Sequence, residues 1–374
     1  MDVIADQYFE LSLKEGTRSK RGTGTVIEFN EQTDLPSNFK EFLKNSQNKD
    51  RLNKFLAEKF MTEHMSTKIL VFTHKNSILS NSGTIMTQDD LLNCNSEEAD
   101  QRLVRHAINC AINQIATIAV FTYNTDVIIL LLSVSHLVTE VSLSKSTVYC
   151  VFGMGEDARL YNITSLAQQL GESVCKGLPF FHAFTGCDTV SSFYNHSKLK
   201  FWDAWMKSES KQLLADTFTR YINQPLSVRE CDIDILHSFV MTVYKPKMLP
   251  DTTVTEARIE EFLCSSNTNI LRLLPISRPG LIEHIKRACI QAGWLWRESI
   301  ENVSHQDPEL WGWILLKKRY IPRWQSFTIT NSIEDLCKTC TCSKLLCKNC
   351  KCAKLKVKCL PFCKCKGKCG NGCY

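Results

Sequence analysis

The chain has 374 residues, of which 44% are hydrophobic and 22% are charged. These are globular proportions, and the length predicts two or three domains. No run reaches the roughly 18 apolar residues that a membrane span needs, and the start lacks the pattern of a signal peptide, so we expect a soluble intracellular protein without a membrane partner.

Cysteine and positive charge are concentrated near the C-terminal end. Of 19 cysteines, 11 lie between Cys337 and Cys373, and the other eight stand singly among apolar neighbours. Isolated thiols of this kind are typical of a reducing compartment. The segment from Lys338 to Lys368 has ten lysines and no acid, whereas the whole chain has a net charge of only +6. The basic character therefore belongs to the tail.

The first 170 residues alternate between strand and helix patterns. "MDVIADQYF" predicts a short strand, residues 35–60 two short helices, and "TKILVFTHKN" a second strand. A helix follows with Asn95 or Ser96 as its expected N-cap. "ATIAVFT" and "STVYCVFG" predict strands, "NTD" a turn, "VIILLLSVSHL" a buried segment of open type, and "NITSLAQQLGESV" a helix. Strands separated by helices favour an α/β fold with a mainly parallel sheet and flanking helices.

The second half of the chain is mostly helical in pattern. "LRLLPISRPG" predicts a linker at about 271–280, and "LIEHIKRACIQAGWLW" predicts a helix with an aromatic end. We therefore divide the chain into an α/β domain at 1–235, a helical extension and linker at 236–330, and a cysteine-rich tail at 337–374.

Four acidic side chains follow predicted strands or begin predicted helices. "EEAD" supplies Glu98 and Asp100, "NTD" supplies Asp126, and "FTGCD" supplies Asp188. In a parallel sheet the loops at the carboxyl ends of the strands converge, so we expect these carboxylates to meet. Their mutual repulsion would be relieved by Mg²⁺ or Mn²⁺, and two such ions can activate water for phosphodiester hydrolysis.

The alternative is that each acid simply caps a helix. Glu98 would complete a capping box with Asn95, and Asp126 and Asp188 would cap the segments that follow them.

The order "EEAD", "NTDV", "TGCD" resembles the flap endonuclease branch of the PIN-like nucleases, whose pattern is E-x-[ED], D-x-D and G-x-D. "VIADQYFELSLKEGTRSKR" is similar to that family's strand ending in Asp and followed by basic residues. The resemblance covers about residues 1–210. It implies five catalytic acids that hold Mg²⁺ or Mn²⁺, namely Asp6, Glu98, Asp100, Asp126 and Asp188. It also implies three contacts to the scissile phosphate, namely Lys14, Arg18 and Arg21.

Two departures from this pattern predict impaired activity. Asn124 stands where D-x-D has its first acid, which removes one negative charge from the expected metal site. The chain also begins at the strand that carries Asp6, so we expect an N-terminally truncated PIN-like fold that lacks the opening strand of the family.

The tail contains the spacing C-x-C-x4-C-x2-C-x-C-x6-C-x3-C-x-C-x3-C. Three tetrahedral zinc ions need twelve metal–sulfur bonds, which nine thiolates supply if three of them bridge two ions each. The nine are Cys340, Cys342, Cys347, Cys350, Cys352, Cys359, Cys363, Cys365 and Cys369. The pattern resembles the tesmin-like CXC domain, a DNA-binding zinc module, although it lacks the usual aromatic residue and Cys337 and Cys373 are surplus.

The lysines of the tail indicate a polyanionic partner. With three Zn²⁺ and nine thiolates, ten lysines leave a folded tail with a net charge of about +7, which suits nucleic-acid phosphates. The expected DNA contacts are Lys338, Lys344, Lys348, Lys351, Lys354, Lys356 and Lys358. A secreted disulfide knot or a metal-storage tail would be the competing interpretations of the cysteines.

Nearly the whole chain has a further resemblance. "LPFFHAFTGCDTVSSFYNHSKLKFWDAW", "KRACIQAGWLW" and the cysteine-rich end are together similar to multicopy, transposon-associated animal reading frames of unassigned function. The sequence thus predicts a transposon-derived, nuclear, nucleic-acid-binding protein with a degenerate metal-dependent nuclease-like domain and a zinc-dependent DNA-binding tail. The alternative is a non-enzymatic DNA-binding or chromatin adaptor.

Overall fold

A computed structural model describes most of the first 244 residues and much of the remainder. The described residues are 1–9, 11–14, 24–63, 68–75, 77–81, 92, 94, 96–223, 227–244, 257–259, 262–263, 273–304, 306–323, 340–341, 350–354, 359, 363–366, 368–369 and 371. The chain forms two compact units, Met1–Phe239 with Leu281–Arg323, and Val240–Gly280 with Trp324–Tyr374. Residues 281–323, assigned from the sequence to the extension, thus pack with the α/β part; the three-domain division stays a prediction.

The first sheet has the order β1-β2-β3 and carries two helices. Its strands are β1 (Asp2–Ile4), β2 (Val71–His74) and β3 (Ser77–Ser80), and its helices are α1 (Phe39–Phe42) and α2 (Ser46–Glu63). β1 and β2 are parallel, with Val3 opposite Phe72, and β2 and β3 are antiparallel. This agrees with the predicted strands and the two predicted helices.

The second sheet has the order β4-β5-β6. Its strands are β4 (Thr117–Thr122), β5 (Thr147–Phe152) and β6 (Arg159–Asn162). Helix α3 (Ala99–Ile112) precedes β4, α4 (Thr125–Ser133) and α5 (Ser135–Val141) connect β4 to β5, and α6 (Ile163–Leu170) follows β6. The crossover through α4 and α5 makes β4 and β5 parallel, as a long helical connection should.

The predicted α/β class is confirmed, with parallel strand pairs and flanking helices. The sheets are mixed, however, because β3 and β6 are each antiparallel to the strand before them. Both are reached by short connections, which can join only antiparallel neighbours. The segment "VIILLLSVSHL", whose type the sequence left open, is helical, because it forms most of α4 and the start of α5.

A helical layer completes the first unit around α7. Its helices are α7 (Glu172–Phe184), α8 (Lys198–Met206), α9 (Lys211–Asn223), α10 (Glu230–Tyr244) and α11 (Arg278–Ile290). Phe180 of α7 is fully buried, and its ring lies 5.5 Å from Phe218 and 5.1 Å from Tyr221. The apolar run before "FTGCD" is therefore the centre of the core, and it fixes the position of the loop that follows.

The chain after α11 departs from the predicted helical extension. A π turn (Gln291–Leu295) and a 3-10 turn (Trp296–Ser299) continue the helix, and a second 3-10 turn (Pro308–Trp311) leads into a hairpin of β7 (Trp313–Leu316) and β8 (Arg319–Pro322). The hairpin contradicts the helical prediction for this stretch.

Aromatic and polar contacts position the π turn. Gln291 accepts a hydrogen bond of 2.5 Å from Thr189. Trp294 packs 4.3 Å from Trp311, and Trp296 packs 5.6 Å from the ring of His182. The π turn and the 3-10 turn after it therefore contact both the segment that leads into the hairpin and helix α7.

The described part of the second unit has a core of cysteines. Helix α12 (Lys351–Lys354) is the one helix that the structure describes in the tail. The buried cluster consists of Cys340, Cys350, Cys352, Cys359, Cys363 and Cys369. Among the residues with described placement, no helix combines the length and apolar character needed to cross a membrane.

Candidate functional site

Two of the predicted acids meet at the ammonium group of Lys14, and a third, Asp6, binds the start of the same helix as Glu98. Lys14 Nζ forms an ion pair with Glu98 Oε1 and lies 3.6 Å from Asp188 Oδ2. Asp6 Oδ1 accepts the backbone N–H of Ala99 at 2.8 Å and so satisfies one of the unpaired donors at the start of α3. Residues distant in sequence are thus joined at the start of one helix.

Asn124 connects the other two acids. Its Nδ2 donates to Asp100 Oδ2 at 2.5 Å, and its Oδ1 accepts the backbone N–H of Asp126 at 3.1 Å. Asp126 Oδ1 lies 2.9 Å from His182 Nε2, on helix α7. An amide at this position therefore serves both as the N-cap of α4 and as the hydrogen-bond donor that holds Asp100.

Burial and mutual repulsion raise the pKa values of two of these acids. Burial raises the pKa of Glu98 to about 7, although the charge on Lys14 opposes the shift. Burial, with repulsion from Asp126 and Asp6, raises the pKa of Asp100 to about 6. These interactions make the acids one electrostatic cluster, which we call the acidic centre: Asp6, Glu98, Asp100, Asp126 and Asp188 with Lys14.

Nearby positive groups stabilise the charged form of Asp126, and the acids in turn stabilise the charged form of Lys14. Burial by itself would raise the pKa of Asp126, but the contact with His182 and the charges of Lys14 and Lys198 outweigh it and leave the pKa below its ordinary value. Burial would likewise lower the pKa of Lys14, but attraction from Glu98, Asp188 and Asp126 raises it instead. Lys14 therefore stays charged.

These residues do not fit two divalent cations in their present arrangement. Within the described part of the chain, every group of three or more candidate metal ligands within 4.8 Å of one another consists of cysteines. Lys14 already supplies a positive charge between Glu98 and Asp188, and Asn124 offers Asp100 a donor. One observation favours a ligand: Glu98 is only 8% exposed, and its Oε2 has no hydrogen-bond partner.

The helix-cap alternative is wrong for Asp126 and Asp188, and its capping box between Glu98 and Asn95 falls partly outside the described residues. The N-cap of α3 is Glu98, whose side chain makes no capping bond, and Asn95 lies outside the described residues. Asn124 caps α4 in place of Asp126. Asp188 lies in an irregular loop, because no helix begins at "TVSSFY". Capping was the local explanation, but the partners of Glu98 and Asp188 come from distant parts of the chain.

The "FTGCD" loop depends on a glycine and a half-buried lysine. Gly186 has φ +116°, and a Cβ there would lie 2.8 Å from Ser192. Lys198 Nζ donates to the carbonyl oxygens of His182 (2.6 Å) and Gly186 and so satisfies the end of α7. Burial lowers the pKa of Lys198 to about 8. The loop that carries Asp188 is thereby fixed against the core.

Sequence reasoning missed His182 and Lys198. His182 lies within the apolar "FFHAF" and Lys198 in "HSKLKF", so no motif marked either of them. A histidine in an otherwise apolar helix was the one available signal. Arg18 and Arg21 lie outside the described residues, and the phosphate-contact role of Lys14 stays a prediction.

A cavity of about 220 Å³ adjoins the acidic centre. Lys14, Glu98 and Gln101 line one side of it, and Trp294 and Tyr320 line another. The cavity therefore extends from the acidic centre to Tyr320 of the hairpin β7–β8.

The cysteines form two groups that share one member. The sulfur atoms of Cys340, Cys350, Cys352 and Cys359 lie within 4.8 Å of one another, and so do those of Cys359, Cys365 and Cys369. Sγ of Cys359 is 3.8 Å from that of Cys340 and 3.5 Å from that of Cys350. Tetrahedral zinc with bonds of about 2.3 Å places its sulfurs about 3.8 Å apart, so these thiols can hold a metal such as zinc.

Every cysteine that the structure describes is a thiol rather than half of a disulfide. Cys342 and Cys347 lie outside the described residues, as do Cys337 and Cys373. Of the predicted DNA contacts, Lys351 begins α12 and Lys354 ends it with an exposed side chain. The others lie outside the described residues: Lys338, Lys344, Lys348, Lys356 and Lys358.

No protein-family model matches this chain, and no curated protein or solved structure is significantly similar to it. The resemblances to PIN-like nucleases and to CXC domains therefore rest on their motifs and stay predictions.

Proposed function

We propose that this chain is a transposon-derived DNA-binding protein of the nucleus. Its cysteine-rich tail folds around zinc and binds DNA, and its PIN-like domain has a nuclease-like acidic centre with little or no cleavage activity. The cysteine groups are the observation that supports this proposal most strongly.

The cysteine groups argue for a built metal site. Cys340 and Cys359 are 19 positions apart, yet their sulfurs lie at the separation expected for two ligands of one tetrahedral zinc ion. Cys359 belongs to both groups, as a thiolate that bridges two ions would. Nine thiolates can supply every bond of about three tetrahedral zinc ions only if some of them are shared between two ions.

The charge of the tail argues for DNA as its partner. Its ten lysines have no acidic residue among them, so zinc binding would leave a strongly positive surface. Lysine contacts to phosphates give affinity with little sequence preference and a steep dependence on salt.

The acidic centre argues against efficient cleavage. Five carboxylates and one ammonium group repel a DNA phosphate unless cations neutralise them. Lys14 and Asn124 satisfy part of that charge from within the chain, which weakens the attraction for two metal ions. Partners within the chain therefore already engage carboxylates that a two-ion mechanism would need as metal ligands.

An active Mg²⁺- or Mn²⁺-dependent nuclease is the second candidate. It is favoured by the meeting of Glu98 and Asp188 at Lys14, which helix capping does not explain, and by the electrostatic coupling of Asp100 to Asp126 and Asp6. This candidate requires that Lys14 leave Glu98 when metal binds. Robust cleavage of flap DNA by the unaltered chain with Mg²⁺ would establish it and would refute an inactive centre.

The main proposal is tested by the double variant Cys350→Ser/Cys359→Ser in the full chain. We expect it to lose zinc in elemental analysis and to lose most of its affinity for duplex DNA, with the salt dependence flattened by about 0.9 per lost phosphate contact. Cys231→Ser, which removes an exposed thiol from the other unit, is the matched control. Unchanged zinc content and DNA affinity in the double variant would contradict the proposal.

A further inference from the structure

The hairpin β7–β8 has a turn that its residues do not favour. The strands pair with Leu316 opposite Arg319, so Lys317 and Lys318 form a two-residue loop. Both lysines have positive φ, 48° and 60°, as a type I′ turn requires. Such turns are usually Asn-Gly, because side chains with a Cβ are unfavourable in this conformation. Because two lysines occupy this turn although its conformation is unfavourable for them, we expect their charges to have a function.

The base of the hairpin is held firmly by the first unit. Gly312 has φ +82°, and a Cβ there would lie 2.8 Å from the carbonyl oxygen of Glu283 on α11. Gly312 also accepts a hydrogen bond of 3.1 Å from Arg287 and one of 2.8 Å from the backbone N–H of Arg323. Trp313 at the start of β7 is buried. The hairpin is therefore a supported projection.

The far end of the hairpin is basic and exposed. Lys317, Lys318 and Arg319 are all exposed, and within the described residues none of them forms an ion pair. The nearby acids have partners of their own, because Asp307 caps a 3-10 turn and Glu309 accepts the N–H of Leu315 at 3.2 Å. Positive charge at the end is thus not neutralised by any residue that the structure describes.

One face of the hairpin is apolar as well as exposed. Ile314 and Ile321 pair across the strands, and Leu316 follows next to the turn, where it is 53% exposed. The opposite face carries Leu315 and Tyr320, and Tyr320 lines the cavity beside the acidic centre. A partner on the exposed face would therefore lie on the same unit as the acidic centre.

We propose that the hairpin β7–β8 is a second DNA-binding surface, which inserts Lys317 and Lys318 into a groove of duplex DNA. A two-stranded ribbon fits the major groove, where the lysines reach phosphates and the face of Ile314 and Leu316 contacts sugars and thymine methyl groups. A membrane is the less suitable partner, because insertion requires apolar residues at the far end with basic residues behind them, and here the order is reversed. The inference rests on the proposed function only in naming DNA as the partner.

The test uses a variant that removes the charges and favours the turn. Lys317→Asn/Lys318→Gly installs the preferred I′ dipeptide, so the hairpin stays formed and a loss of binding cannot come from unfolding. In the full chain we expect the log–log salt slope for a labelled blunt duplex to become shallower by about 1.8. Over a fourfold decrease in salt concentration, the variant should therefore gain about tenfold less affinity than the wild type. The control Lys145→Gln/Lys200→Gln removes two exposed lysines of the same unit and should bind like the wild type.

The outcomes separate this inference from the proposed tail. If the Asn-Gly variant binds duplex like the wild type, the hairpin is not a DNA surface and the inference is overturned, whatever the cysteine variant does. If it binds weakly while Cys350→Ser/Cys359→Ser binds normally, the hairpin is the DNA surface and the tail proposal fails. If the wild type binds anionic vesicles and only that binding is lost in the Asn-Gly variant, the partner is a membrane and the inference is also overturned.

Discussion

The acidic centre and the cysteine cluster are held in place by different means. The acids Glu98, Asp126 and Asp188 extend from elements that a large aromatic core already fixes, and their charges are balanced by lysines and a histidine of the chain. In the described tail, the buried core consists of the cysteines themselves, of which Cys359 is fully buried. The first site is therefore held together by partners within the chain, whereas the core of the second consists of groups that can hold a metal such as zinc.

The largest expected effect is on the tail. Because Cys359 belongs to both cysteine groups and Cys365 to only one, Cys359→Ser should lose more zinc per chain than Cys365→Ser. Elemental analysis should show the zinc content falling from about three ions per chain. Far-ultraviolet circular dichroism of the full chain should change little, because the first unit contributes most of the helices. Equal losses from the two variants would show that Cys359 does not bridge.

The second effect tests whether the acidic centre keeps its own charge balance. Lys14→Met leaves Glu98 buried without its cation, and we expect the free energy of unfolding at pH 8 to fall by about 3 kcal/mol. The loss should be smaller at pH 6, where Glu98, with its pKa of about 7, takes up a proton. Urea denaturation at both pH values measures this.

The matched control is Lys75→Met. Lys75 is 2.8 Å from Asp50 but more than half exposed, so its loss should cost about 0.5 kcal/mol at either pH. A comparable cost for both lysines would mean that the Lys14 ion pair is no more than a surface contact.

The third effect concerns metal binding. Asn124→Asp keeps a residue that can cap α4 but replaces the donor to Asp100 with a negative charge. We expect Mn²⁺ to bind about tenfold more tightly, a gain of about 1.4 kcal/mol, and Asp188→Asn to weaken binding below the unaltered chain. Calorimetric titrations measure all three proteins, and identical curves would remove Asp188 and Asn124 from any cation site.

The fourth effect is on the pH dependence of stability. The folded pKa values of Glu98 and Asp100 are raised to about 7 and about 6, so both groups favour the folded state at low pH. Their contribution is complete below about pH 4 and is lost as the pH rises towards 7. Glu98→Gln should make this decline shallower, whereas Glu209→Gln, at an exposed position, should leave it unchanged. Unfolding free energies at four pH values between 4 and 8 provide the comparison, and parallel curves for the two variants would contradict the raised pKa of Glu98.

Local patterns predicted much of the fold. The alternating or apolar runs at β4 and β5 and the helical spacing of α3 and α6 are encoded within a few neighbouring residues. The cysteine cluster was also predictable, because the spacing of the ligands along the chain is itself the signal. The hairpin was missed because Lys317 and Lys318 stand where Asn-Gly would have indicated a turn.

The partners of the acids were not predictable in the same way. Motif order correctly suggested that Glu98 and Asp188 would meet, but Lys14 as their common partner depends on how distant segments pack. His182 lies 56 positions from Asp126, and nothing near either residue specifies the contact. The geometry of the acidic centre is set by the packing of α7 against α4 and the π turn, which no short window contains.

The π turn at Gln291–Leu295 makes two distant contacts depend on one residue of chain length. A π turn has about one residue more than a regular α-helical turn. One residue added to a regular α-helix would rotate everything after it by about 100°. The wide π turn accommodates that residue without the rotation, so Trp294 still meets Trp311 and Trp296 still meets His182. The helix thereby supports both the hairpin and the histidine side of the acidic centre while carrying one residue more than a regular α-helix would.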